Sequence, residues 1–83
     1  MRMTKLELMS CLLSRDCHSF KKFYQDYETF MYRTGFRVTG CSTATEQLVL
    51  QVVRNIWEKP SVISRSSDRY VSVILQKLMV DQK

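Results

Sequence analysis

Eighty-three residues suffice for one domain and not for two, and a domain of this size buries only about 60 to 65 % of its unfolded surface, so its core is thin. The composition is 45 % hydrophobic and 25 % charged with two Gly and one Pro, which favours long helices because so few chain-breakers interrupt them. A formal charge of +5 suits a polyanionic partner, yet the basic residues are spread along the chain, which excludes a basic disordered tail.

Thr4-Lys5-Leu6-Glu7 has the form of a capping box ahead of Leu6, Met9, Leu12 and Leu13 at helical spacing, predicting a first helix from Lys5 to about Ser14. Asp16 is placed to cap a second helix with a broad apolar face, from Phe20, Phe23 and Tyr27 through Phe30, Met31 and Tyr32 to Phe36 and Val38. It should end near Thr39, where Gly40 supplies a left-handed residue.

Thr43 to Glu46 is a second capping box, predicting a third helix from about Ala44 that stops at Lys59 before Pro60. Its apolar positions Leu48, Val49, Leu50, Val52, Val53, Ile56 and Trp57 span an arc of roughly 200° at 100° per residue. A helix lying on one core needs only about half of that. Leu48, Val49, Val52, Val53 and Ile56 suffice for the core, with Trp57 sealing the edge. Leu50 is left outside among Gln47, Gln51 and Arg54, as a patch for a partner.

Residues 61–67, SVISRSS, read as a loop, with Ser66 or Ser67 capping a last helix from Asp68. That helix is expected to bury Tyr70, Val71, Ile74, Leu75, Leu78 and Met79. Four helices and no strand make an all-α, compact bundle, with residues 1–83 as a single helical domain.

Nothing in the chain marks an enzyme. It has one His, no phosphate-binding loop motif and eight scattered acids, so a non-catalytic module without cofactor or metal is expected. Cys17 and His18 are adjacent, but zinc requires about four ligands at characteristic spacings. Cys11, Cys17 and Cys41 cannot all pair in one chain and form no C-x-x-C unit, which suits the cytoplasm and three buried or half-buried thiols. Glu7 interrupts the only early apolar patch, leaving it too short for a signal segment. Phe20, Phe23, Tyr27 and Phe30 lie at helical spacing and read as core rather than as a base-stacking platform.

The order of features is more informative than any one. FKKFYQDY at Phe20 to Tyr27, Tyr32-Arg33, Gly40, EQLVLQVVRNIW before Pro60 and a polar loop, and YVSVILQKLMVD from Tyr70 to Asp81 resemble region 2 of a bacterial sigma factor of the extracytoplasmic-function type. The resemblance covers residues 6–83.

That resemblance implies a helical domain whose third helix docks on the clamp helices of the largest subunit of the RNA polymerase core. It also implies a final helix and preceding loop that hold the promoter −10 element as a non-template single strand. Carried over by position, the polymerase-binding residues are Gln47, Leu50, Gln51, Arg54 and Glu58. The DNA-binding residues are Lys59, Ser61, Ser64, Arg65, Ser66 and Ser67 in the loop and Arg69, Val73, Gln76 and Lys77 on the last helix. An anti-sigma factor is a further implied partner.

The chain departs from the family at named positions. Typical members carry acids where this chain has Gln47 and Leu50-Gln51, Arg at the positions of Val73 and Gln76, and Asn at that of Lys77. The family's helix-turn-helix domain for the −35 element is not within these 83 residues. Two other readings stay open: a relative that keeps a protein-binding face without recognising promoters, and a generic helical interaction module.

Overall fold

The computed structural model describes residues 3–82, and local capping chemistry explains where most of its helices begin and end. Helix α1 is Lys5–Ser14. The Thr4 hydroxyl accepts from the Glu7 amide at 3.3 Å and the Glu7 carboxylate accepts from the Thr4 amide at 3.2 Å, so two otherwise orphaned donors are satisfied reciprocally. Arg15 ends α1 in the left-handed region at φ 55, its N–H reaching the Leu12 carbonyl.

Helix α2, Cys17–Thr39, starts at Asp16, whose carboxylate accepts from the Ser19 amide and hydroxyl. It closes at Gly40, left-handed at φ 70, where a side chain would be strained. Helix α3 is Ser42–Glu58. It begins two residues earlier than the sequence suggests, and the Thr43 capping box is not used. Thr45 explains the difference: its hydroxyl turns back to the Cys41 carbonyl at 2.6 Å and meets the Thr39 hydroxyl at 2.7 Å, drawing residues 41–45 into the first turn.

Pro60 ends α3 as expected, but the chain then forms one short turn of helix, α4, Ser61–Ser64, where a loop was expected. Ile63 is fully buried there, and burial of that one side chain gives the turn its anchor. The last helix, α5, Val71–Gln82, begins three residues later than Asp68.

Among the described residues there are five helices and no strand, an all-α bundle in which α2 packs against α1, α3 and α5. The core joins Leu8 and Leu12 of α1, Phe23, Tyr27 and Met31 of α2, and Leu48, Val49, Val52 and Ile56 of α3 to Ile63, Val71, Ile74, Leu75 and Met79. Gly35 lets α2 and α3 approach closely, since a Cβ there would stand 3.0 Å from Thr45 Cγ2.

Several expected core residues lie outside it. Leu6 and Leu13 are exposed, because α1 turns its Leu8, Cys11 and Leu12 side inward. Phe36 is exposed near the end of α2, and Tyr70 is exposed because it precedes α5 rather than lying within it. Of the three thiols only Cys11 is buried; Cys17 and Cys41 are exposed at the first turn of α2 and just ahead of α3.

Candidate protein-docking and nucleic-acid-docking faces

The third helix separates its apolar surplus as its periodicity suggests, except that Val53, expected in the core, is only half-buried at its edge. Leu48, Val49, Val52 and Ile56 face inward and are buried, whereas Gln47, Leu50, Gln51, Arg54 and Glu58 are exposed. Their spacing of three or four residues puts these five on one stripe. Leu50 keeps 54 % of its surface in solvent, a cost in water that contact with a partner would remove.

Beside this stripe α2 and α3 enclose an open groove of about 820 Å³, within the usual range for ligand and peptide sites. Phe20, Leu50, Val53 and Trp57 form its apolar surface, and Cys17, Lys21, Gln47, Gln51 and Arg54 complete it. Glu58 lies on the stripe but does not line the groove. No carboxylate lines it either, so its charge comes from Lys21 and Arg54 alone.

One wall is held by a row of rings. Phe20 packs on Trp57 with centroids 4.9 Å apart and on Phe23 at 5.3 Å, and Phe23 continues to Tyr27 at 5.5 Å. Tyr27 and Phe23 are buried, and the Tyr27 hydroxyl donates to the Met3 carbonyl at 2.7 Å, so these aromatics build structure rather than an open stacking platform. Trp57 is half-buried at the bundle edge, with the Arg15 guanidinium 3.9 Å from its ring centroid.

The DNA-facing candidates are brought together only in part. Val73, Gln76 and Lys77 share one side of α5, with Val80 and Asp81, around a shallow hollow. Arg69 lies instead at a separate cleft of about 450 Å³ between the start of α1 and the start of α5. Lys59, Ser61, Ser64, Arg65 and Ser67 are exposed and line neither hollow.

Two candidates spend polar groups inside the fold. Ser66 is half-buried, its hydroxyl donating to the Asp68 carboxylate at 3.3 Å and accepting from the Asp68 amide at 3.2 Å. Lys77 forms an ion pair with Asp68 at 2.9 Å, although 65 % of its side chain remains exposed. The hydrogen bond from Lys77, reinforced by its charge, holds the Asp68 carboxyl below the ordinary aspartate range.

Sequence reasoning missed Tyr70. Its carbonyl accepts the first amide bonds of α5, from Val73 and Ile74, so its side chain falls outside the helical face and is 66 % exposed beside Arg69. An aromatic ring next to a guanidinium is the pairing that single-stranded nucleic acid uses for stacking and backbone contact. No sequence signal separates Tyr70 from the helix that follows it.

Among the described residues no three of His, Cys, Asp and Glu gather as metal ligands, and no helix is long and apolar enough to cross a membrane. Comparison with family models, with curated proteins and with solved structures finds no match to this chain.

Proposed function

We propose that this chain is a non-catalytic docking module of transcription initiation, with the role of region 2 of a sigma factor of the extracytoplasmic-function type. One observation carries the reading: four of the five residues assigned to polymerase by the resemblance, Gln47, Leu50, Gln51 and Arg54, line one exposed groove with an apolar floor. Such a groove fits the side of a partner helix, where a few apolar anchors dominate affinity and a polar rim gives orientation. The clamp helices of the RNA polymerase core are the partner in this reading.

On the nucleic-acid side, exposed Arg65 and Arg69 attract phosphates and Tyr70 offers a stacking surface beside Arg69. The chain should therefore bind −10 non-template single strands with steep salt dependence, and the double substitution Arg65→Ala, Arg69→Ala should abolish that binding. On the protein side it should co-purify with core polymerase, and Arg54→Glu should prevent this without loss of helical signal. Unchanged co-purification of Arg54→Glu would refute the assignment of the groove.

One observation favours a second reading, a relative that binds protein but does not select promoters. Val73 and Gln76 leave the outward side of α5 uncharged at two positions, and Lys77 is already paired with Asp68. Polymerase or anti-sigma binding without preference between the two −10 strands would select it.

A further inference from the structure

Lys5 stands in the first turn of α1, and its ammonium reaches the neighbouring segment between α4 and α5. It donates to the Ser66 carbonyl at 2.7 Å and to the Asp68 carbonyl at 3.0 Å. Residues 66–70 lie outside any helix, so most of their backbone groups lack the repeating partners that a helix supplies. Buried Ile63 anchors one end and buried Val71 the other. Among the described residues, Lys5 makes both hydrogen bonds that reach this segment from outside α4, α5 and the segment itself.

Asp68 is thereby held from two sides. Its carbonyl is drawn to Lys5 of α1 and its carboxylate to Lys77 of α5. Hydrogen bonds from a charged donor are shorter and stronger than neutral ones, and an ammonium carries three N–H groups, so one side chain can hold two carbonyls at once. Arg65, Arg69 and Tyr70 flank or belong to the segment so pinned, and all three are exposed.

We propose that Lys5 is a positioning residue for the nucleic-acid-facing segment: its ammonium clamps the Ser66 and Asp68 carbonyls and thereby sets how Arg65, Arg69 and Tyr70 are presented. The clamp itself stands on the geometry alone, whereas its consequence for DNA rests on the function proposed above. A helix distant in sequence thus controls the order of the segment that carries Arg69 and Tyr70, with which it shares a cleft. Loss of the ammonium lets the segment open locally while the buried core, which makes no use of Lys5, stays closed.

Limited trypsin digestion of the whole chain tests this, comparing wild type with Lys5→Met and Lys5→Arg. Cleavage after Arg65 and Arg69 should be about tenfold faster in Lys5→Met, because cleavage follows the open population and two charge-assisted bonds are lost. Cleavage after Arg33 and Arg37 in α2 should be unchanged, and Lys5→Arg, whose guanidinium can serve two carbonyls, should restore slow cleavage. Wild-type rates after Arg65 and Arg69 in Lys5→Met would overturn the proposal. So would equal acceleration at Arg33 and Arg37, or a Lys5→Arg chain cut as fast as Lys5→Met.

Binding of a −10 single-stranded oligonucleotide is the second readout. It should weaken in Lys5→Met and recover in Lys5→Arg. A wild-type chain that binds no oligonucleotide would refute the DNA reading, and the digestion would still decide the clamp.

Discussion

The guanidinium of Arg15 stands 3.9 Å from the centroid of the Trp57 ring and also donates to the Trp57 carbonyl, tying the end of α1 to the end of α3. Phe20 packs on the same indole. A cation over an aromatic face is worth about 0.5 to 1 kcal/mol at an exposed site, and a cation at a helix C-terminus also meets the negative end of the dipole. Arg15→Ala should therefore cost about 1 kcal/mol of stability. Trp57 is the sole tryptophan, so its emission should shift to the red as water gains the ring, and an unmoved spectrum would show that the contact does not hold in solution.

Gly35 decides how closely α2 and α3 approach. In an exposed helix, Gly→Ala stabilises by about 1 kcal/mol. Here the added Cβ would meet Thr45 Cγ2 at 3.0 Å, and Thr45 cannot turn aside without breaking its bonds to Cys41 and Thr39. Overpacking of this kind costs about 1 to 3 kcal/mol, so Gly35→Ala should destabilise on balance. Denaturant titration reads the sign directly, and a stabilised variant would mean that the two helices separate freely.

Asp68 gives the fold a defined acid sensitivity. Its hydrogen bond with Lys77, the Lys77 charge, the Ser66 hydroxyl and the Lys5 charge hold its carboxyl below the ordinary value of 3.8, so the folded chain binds that proton less readily than the unfolded chain. The stabilisation is complete above the ordinary value and is lost as pH falls through it towards the lower folded one. Asp16, held low by Ser19, has the same sign. Asp68→Asn should be less stable than wild type at neutral pH and should lose less on acidification. Parallel pH profiles for the two chains would remove Asp68 from this role.

Local chemistry was legible in the sequence, and the choice between neighbouring apolar faces was not. Thr4 with Glu7, Asp16, Gly40 and Pro60 mark helix ends because each acts on backbone groups a few residues away. Leu6 and Leu13 were misread because α1 carries leucines on more than one side, and only packing on α2 selects Leu8, Cys11 and Leu12. Thr45 displaced the start of α3 through a bond to Thr39, which belongs to the preceding helix. The stripe Gln47, Leu50, Gln51 and Arg54 followed from periodicity alone. Cys17, Phe20 and Lys21, which complete its groove from α2, required the packed structure.

The tie between Lys5 and the segment 66–68 joins residues 61 and 63 positions apart, beyond the reach of any local pattern. Tyr70 likewise gave no warning, since an aromatic at helical spacing from Ile74 reads as core until the helix start is known.

Equilibrium binding of the purified chain to bacterial RNA polymerase core, with Leu50→Asp as the comparison, tests the central claim most directly. Leu50 is exposed, so the substitution leaves the core intact and the helical signal unchanged. The wild-type chain should bind, and placing a carboxylate at a desolvated anchor should weaken binding at least about tenfold. A wild-type chain that does not bind the core enzyme, or a Leu50→Asp chain that binds equally well, would contradict the account.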